Sequence, residues 1–331
     1  MSKPRTRKPA FRSGFVSLLG RPNSGKSTLL NALTGMKLAI VADKPQTTRT
    51  TIQGVWNTPQ SQVVFVDTPG IHQADSLFNR RMMQSIGEAL QERDLLLFLI
   101  DSTRPPSALD EQAVALIRQA GAPAFAVFNK IDALSRKDVL LALIEHYRQW
   151  HPFEEVFPIS ALTGEGVEEL RAAILQRMPA GPAWFPPDHI TDQPERFLAS
   201  EIIREKILAL TRQEVPHSVA VLIDEWKEDA KLTRISATIH VERTGQKIIV
   251  LGARGALLKE VGTQARVELE SILGTRVFLT LFVKVSPNWR ENEQFLKELD
   301  WRAMIGAAPA APTAPEASPG AADEPDGPVI L

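Results

Sequence analysis

The chain has 331 residues, 44% of them hydrophobic and 23% charged, with a net charge of −1. That length accommodates two domains of ordinary size, and the charge excludes a uniformly basic coat. With no cysteine, a disulfide framework, a thiolate metal site and a cysteine nucleophile are all excluded, which suits a reducing cytoplasm. No apolar stretch reaches the roughly 18 residues that span a bilayer.

Residues 1–12 hold Lys3, Arg5, Arg7, Lys8 and Arg12 without a following signal-peptide core. They are predicted to be a basic disordered tail, able to touch RNA or an anionic membrane surface weakly. A first domain is predicted over 13–180. Its buried strand Phe15–Leu19 runs into Gly20-Arg21-Pro22-Asn23-Ser24-Gly25-Lys26-Ser27 and then a helix from Thr28. The octapeptide fits the phosphate-loop pattern G-x-x-x-x-G-K-[ST]. Its glycines let main-chain N–H groups face inward on phosphate oxygens, and the helix N-terminus adds partial positive charge. Lys26 can reach the β- and γ-phosphates, and the Ser27 hydroxyl can ligate Mg²⁺.

Further strand-like runs follow at 51–56, 62–66, 95–100, 124–128 and 156–159, with amphipathic helices at 107–119, 139–149 and 167–177. Alternation of this kind predicts an α/β fold, a mainly parallel sheet with helices on both faces and ligands at the strand carboxyl ends. Three motifs fall at those ends. Asp67-Thr68-Pro69-Gly70 offers a carboxylate to Mg²⁺ through water and a Gly70 N–H to the γ-phosphate. Asn129-Lys130-Ile131-Asp132 offers the Asp132 carboxylate to the N1–H and 2-amino group of guanine, with the Lys130 stem on the purine face and Asn129 tying loops together. Adenine lacks both hydrogens, and matched polar pairing of this kind discriminates by about 10⁴–10⁵. Ser160-Ala161-Leu162 sets the Ala161 N–H toward guanine O6.

Proline-rich residues 181–193 read as an extended linker. A second domain is predicted over 194–302: a helix at 194–212, strands at 218–226 and 233–242, a helix at 255–273, a strand at 276–285 and a closing helix at 290–299. Gly252-Ala253-Arg254-Gly255 precedes the long helix, with Lys247 and Lys259 close by. Ile248, Ile249 and Leu257 would form an apolar floor for bases, with most of them assigned to the core. Acidic and basic residues in this domain nearly balance, so nucleic-acid binding would use one face. Residues 303–331 are Ala/Pro-rich and are predicted to be disordered.

The phosphate loop, Lys44–Gly54, Val66–His72 and Phe128–Asp132 together resemble Ras-like G domains and, within them, the Era family of bacterial ribosome-assembly GTPases. The resemblance runs from about Phe15 to Asp300. It implies a Ras-like G domain followed by a type II KH domain whose GxxG loop clamps about four single-stranded nucleotides. It also implies a monomeric, cytoplasmic GTP/GDP switch that binds the 3′ region of 16S rRNA within the 30S subunit. Gln46, Thr47, Thr48, Arg49 and Thr50 would be the first switch, with Thr48, or failing it Thr47, sensing Mg²⁺. Asp67 to Ile71 would be the second. Ras-type proteins orient the attacking water with a Gln where this chain has Ile71, so slow intrinsic hydrolysis is expected. Relatives that use an Asn in this loop to hold K⁺ make Asn23 a candidate K⁺ ligand. His72 reads as a bystander. The alternatives are a tRNA-modifying GTPase, a non-enzymatic RNA-binding module with a structural nucleotide site, and a membrane-surface regulator of cell division.

Overall fold

A computed structural model describes residues 10–44, 46–71, 75–91, 93–211 and 215–301. Most of the basic tail, His72 and the Ala/Pro-rich tail lie outside the described residues. The first domain is built from β1 (Arg12–Leu19), α1 (Lys26–Thr34), β2 (Ile52–Thr58), β3 (Ser61–Asp67), α2 (Leu77–Leu90) and β4 (Leu95–Asp101). It continues with α3 (Ala108–Ala120), β5 (Ala124–Asn129), α4 (Val139–Trp150), β6 (Glu155–Pro158) and α5 (Val167–Arg177). The sheet order is β2-β3-β1-β4-β5-β6, with only the β2–β3 pair antiparallel. Strands β3, β4 and β5 are buried along their whole length, as expected where helices cover both faces. Two apolar cores follow. One holds Leu29, Leu30 and Leu33 of α1 with Ile174 of α5; the other holds Ile86 of α2, Ile117 of α3 and Tyr147 of α4.

Arg12, expected in the tail, opens β1, and its guanidinium donates to the Gln176 and Met178 carbonyls at 2.8 Å. Helix α2 was not anticipated. Its signal lies in Ser76, which accepts from the Asn79 N–H as N-cap, and in buried Phe78, Met82, Ile86, Ala89 and Leu90 at helical spacing. The proline-rich segment is not a free spacer where it passes the sheet. Its Ile190 carbonyl accepts from the Val55 N–H, Thr191 donates to the Gln53 carbonyl, and Gln62 pairs with the Trp184 and Phe185 backbone. The bonds at Val55 and Gln53 cover the edge strand β2, whose unpaired groups would otherwise be a template for another chain.

The second domain comprises α6 (Glu195–Leu210), α7 (Val215–Ser218), β7 (Ala220–Asp229), β8 (Leu232–Val241), α8 (Thr244–Leu251), α9 (Ala256–Leu273), β9 (Arg276–Val285) and α10 (Glu293–Leu299). Its sheet runs β7-β8-β9, antiparallel then parallel. Helices α6 and α9 pack on one sheet face, around Ile202, Ile203, Val261 and Leu269. Two expectations are corrected, at Ser218 and at the closing helix. Ser218 ends a helical turn rather than opening a strand. The apolar run before the GxxG, given no element from the sequence, is helix α8, started by Gln246, whose side chain accepts from the Glu242 and Arg243 N–H groups. The closing helix begins at Glu293, because Trp289–Glu291 forms a separate 3₁₀ turn and Asn292 caps α10 by accepting from the Phe295 N–H.

Candidate functional site: a nucleotide cleft joined to a GxxG domain

The loop between β1 and α1 takes its shape from three residues at positive φ, Asn23 (63°), Gly25 (95°) and Gly20 (159°). A Cβ at Gly25 would lie 2.2 Å from the Asn129 amide nitrogen, and one at Gly20 would lie 2.5 Å from the Leu99 carbonyl. Any side chain at either position therefore displaces the loop. Inside it, the Lys26 ammonium is buried and donates to the Gly20 and Arg21 carbonyls at 3.0 and 3.1 Å. Burial pulls its pKa down to about 8, against the opposing pull of Asp67. Only the backbone of Arg21 contributes to this cradle. Its guanidinium turns away to the Pro105 carbonyl, Ser107 and the buried Asp110 carboxylate, so the expectation that Arg21 itself meets phosphate is corrected for the side chain.

Three predicted metal-site residues from distant segments meet at one point. The Ser27 hydroxyl lies 2.6 Å from the Thr48 hydroxyl and donates to the Asp67 carboxylate at 2.8 Å; Thr48 donates to the same oxygen at 3.3 Å. Thr47 faces the other way and donates to the Ala42 and Lys44 carbonyls. Burial raises the Asp67 pKa to about 6, although Lys26, Ser27, Thr48 and the Thr68 N–H all oppose it. Its second oxygen, Oδ1, is buried without a hydrogen-bond partner. Two hydroxyls and a carboxylate are the hard oxygen donors that Mg²⁺ takes. The orphaned oxygen shows that the protein alone does not complete this set, so these residues fit the ion.

The start of the second switch is pressed against the loop. Thr68 donates to the Leu18 carbonyl, Pro69 is buried, and a Cβ on Gly70 would sit 2.8 Å from the Pro22 Cα. Ile71 is fully buried in the core shared with Leu96 and Phe98. Its side chain is a packing element and leaves the phosphate side to main-chain groups.

At the carboxyl ends of β5 and β6, Asn129 is 2% exposed and bridges two loops. It donates to the Ser24 carbonyl at 2.8 Å and accepts from the Ala161 N–H at 2.9 Å. The Ala161 N–H is engaged by Asn129 and can meet guanine O6 only by sharing. Lys130, at φ 68°, donates to Asp101 at 2.9 Å. Burial acts to raise the Asp101 pKa, but Thr103 and Lys130 outweigh it and hold the carboxyl low. Asp132 is exposed in the turn Ile131–Ala133. Ser160 is buried and accepts from the Thr163 N–H, Leu162 is exposed, and Thr28 lines the cleft beside Asn23.

In the second domain, Gly252 (φ 69°) and Gly255 (φ 81°) flank the exposed Ala253 and Arg254. A Cβ on Gly252 would lie 2.7 Å from that of Leu257. Helix α9, eighteen residues long, points its N-terminus at this loop, and exposed Lys259 and half-buried Lys247 flank it. Ile248 and Ile249, assigned mostly to the core, are exposed, because the α8 face that carries them has no covering element among the described residues.

The residues joining the two domains had no local signal. Arg204 of α6 donates to the Gln46 and Thr47 carbonyls and pairs with Glu201. Glu205 accepts from the Val41 N–H at 2.8 Å and from Lys37, and Ile40 is buried in the core of the second domain. Arg49 donates to the Val219 carbonyl at 2.6 Å and to the Pro216 carbonyl at 3.3 Å. Its guanidinium also lies over Phe78 and Trp289, 5.4 and 5.6 Å from their ring centroids. Burial, then Arg204, drives its pKa down, and Glu201 only partly compensates. Thr50 lines the cleft between the domains.

A strand–loop–helix phosphate cradle, a threonine of the first switch beside Asp67, and an N-K-x-D loop define a P-loop GTPase, here joined to a KH domain. Family models agree: one described as "50S ribosome-binding GTPase" matches residues 15–130, and one for the KH domain matches 214–290. The chain is 50% identical to GTPase Era of Geobacter metallireducens over 293 residues, covering 88% of this chain and 98% of that one. It is 48% identical to GTPase Era of Syntrophus aciditrophicus, with 88% and 95% covered. Aquifex aeolicus Era bound to GDP and AlF4⁻ superposes with a TM-score of 0.84 at 41% identity, covering 88% of this chain and 99% of that one. An Era complex with MgGDPNP and nucleotides 1506–1542 of 16S ribosomal RNA superposes with a TM-score of 0.85, at the same identity and coverage. The chain belongs to the Era family of GTPases. No helix among the described residues is long and apolar enough to cross a membrane.

Proposed function

We propose that this GTPase is a guanine-nucleotide switch that binds the 3′ region of 16S rRNA through its KH domain during assembly of the 30S subunit, acting as a cytoplasmic monomer. The observation that carries the reading is the adjacency of Thr48 and Arg49. One residue of the first switch lies in the metal-ligand set with Ser27 and Asp67, and the next is plugged into the KH domain through the Val219 and Pro216 carbonyls. A change at the γ-phosphate that moves Thr48 must move Arg49 with it.

Ser27, Thr48 and, through water, Asp67 would hold Mg²⁺, which supplies charge neutralisation on the transferring phosphate. Lys26 and the loop amides from Asn23 to Thr28 bind phosphate oxygens. Asp132 selects guanine, and Lys130 covers the base. With Ile71 in the core, no side chain at that position orients water, which supports a slow intrinsic rate that a partner or a cation raises. Asn23, at the cleft rim, is the candidate K⁺ ligand; equal turnover in K⁺ and Na⁺ at matched ionic strength would remove it from that role. Lys247, Gly252 to Gly255 and Lys259 form the RNA clamp.

Crosslinking to total RNA, wild type against a Gly252→Asp, Gly255→Asp double variant, tests the reading. Enrichment of the 16S 3′ end in wild type alone supports it, and equal recovery by both proteins refutes it. The membrane-surface alternative rests on the basic tail outside the described residues, and vesicle sedimentation tests it separately. Phosphate release from GTP separates the switch from a non-enzymatic RNA module. The tRNA-modifying alternative would need a partner enzyme, since the chain encodes no cysteine.

A further inference from the structure

The KH sheet has two faces, and the GxxG clamp accounts for neither side chain that stands out on the open one. Along β9, Val277, Leu279, Leu281, Val283 and Val285 point to the helices and join the core. The alternate positions Arg276, Phe278, Thr280, Phe282 and Lys284 point the other way. Phe278 and Phe282 are 56% and 55% exposed. At four residues apart on one strand face they stand roughly 13 Å from each other. Register places Phe278 beside Arg234 and Phe282 beside Thr238 on β8, and the Arg234 guanidinium lies 5.9 Å from the Phe278 centroid.

The outward positions of β8 and β9 carry Arg234, Arg276 and Lys284 and no carboxylate. The neighbouring β7 carries Asp224, Glu225 and Asp229 together with Lys227; Asp224 accepts from Thr238 at 2.7 Å and Asp229 lies 4.0 Å from Arg234, so the positive excess is on the β9 side. Two exposed aromatic rings among cations and hydroxyls make a surface for π-faced anions. Unpaired RNA bases stack on such rings while the cations meet the backbone, as on other sheet platforms for single-stranded RNA. Strand β9 is also the sheet edge, and α8, which leads into the GxxG loop, packs on it. The helix-side clamp and the open face therefore border the same strand, and an RNA leaving the clamp meets this face next.

We propose that the open β8–β9 face of the KH sheet is a second RNA-contact surface, on which Phe278 and Phe282 stack unpaired bases beyond those held by the GxxG loop. The inference rests on the RNA-binding reading above. It accounts for a demand that the clamp leaves open: a loop that grips about four nucleotides holds only a small part of an RNA region such as the one in the Era complex.

The test uses the full chain loaded with a non-hydrolysable GTP analogue and two RNAs. One is a synthetic transcript of 16S nucleotides 1506–1542; the other is a single-stranded oligonucleotide of about six nucleotides from its 3′ end, cut to the clamp. The double variant Phe278→Leu, Phe282→Leu keeps apolar volume but removes the ring faces, and Phe278→Tyr, Phe282→Tyr restores them. With both base–aromatic stacks removed, the leucine variant weakens binding of the long RNA by about 30-fold or more. It leaves the short RNA and the melting temperature unchanged, and the tyrosine variant binds like wild type. Unchanged binding of the long RNA by the leucine variant overturns the proposal and turns the face over to a protein partner. Equal weakening of both RNAs also overturns it. If wild type binds neither RNA, the RNA reading fails first and the inference falls with it.

Discussion

Asn129→Ala is the sharpest probe of how the nucleotide cleft is held together. The side chain makes two buried bonds, one to the Ser24 carbonyl of the phosphate loop and one from the Ala161 N–H of the β6 loop. Alanine leaves both main-chain groups without a partner, and each orphaned buried group costs about 1–3 kcal/mol. In the nucleotide-free protein the two loops can part and let water reach those groups, so the cost there falls at the low end. With nucleotide bound, the phosphate loop must stay in place and the Ser24 carbonyl stays orphaned, while the Ala161 N–H is left to the base edge alone. The difference, up to about 2 kcal/mol, corresponds to as much as roughly 30-fold weaker guanine-nucleotide binding, at 1.4 kcal/mol per decade. Calorimetric titration with GDP reads it, and thermal melting of the nucleotide-free protein reads the smaller remainder. Asp132→Asn is the control, because Asp132 is exposed and joins no loops: it shifts the preference between guanine and other purines and leaves the melting temperature in place. An Asn129→Ala protein that binds GDP within threefold of wild type would show that the two loops are held by something other than this amide.

Thr48→Ala should lower Mg²⁺-dependent GTP turnover by more than tenfold, while Thr47→Ala stays within about threefold, since only Thr48 reaches Asp67; equal losses in a phosphate-release assay would refute the assignment. Arg49→Met removes a buried cation along with its two carbonyl contacts, so relief of its desolvation offsets much of the lost bonding, and the melting midpoint should move by less than about 2 kcal/mol of stability. Its signature is functional: RNA affinity measured with GDP and with the GTP analogue becomes equal, and a difference as large as in wild type would refute the coupling. Burial, then Lys284, holds the His240 pKa below its ordinary value. The unfolded chain therefore takes up the proton more readily, and stability falls as pH drops below about 6.5 toward the folded-state value. His240→Gln should flatten part of that slope in melting temperature against pH between 7 and 5, and superimposable slopes would refute it.

The sequence by itself determined the chemistry. Gly20, Gly25 and Lys26 are adjacent in the chain, so the cradle they build is local and readable; the same holds for Asn129 to Asp132 and for Gly252 to Gly255. The strand–helix alternation was legible because fully buried strands are continuous apolar runs. Helix α2 shows where such reading stops: its apolar positions are regular, but Asn79, Arg80, Arg81 and Gly87 dilute them. The resemblance put Thr48 ahead of Thr47, and the fold brings it to Asp67; tertiary structure alone decided that the Arg21 guanidinium leaves the phosphate site for Asp110, and that Ala161 is engaged by Asn129. It also decided that Arg49 and Arg204 tie the first switch, and Glu205 the segment before it, to the KH domain. The physical reason is separation along the chain. These partners lie from 19 to 170 residues apart, and no local spacing rule encodes a contact that forms only when two packed layers bring the chain back on itself.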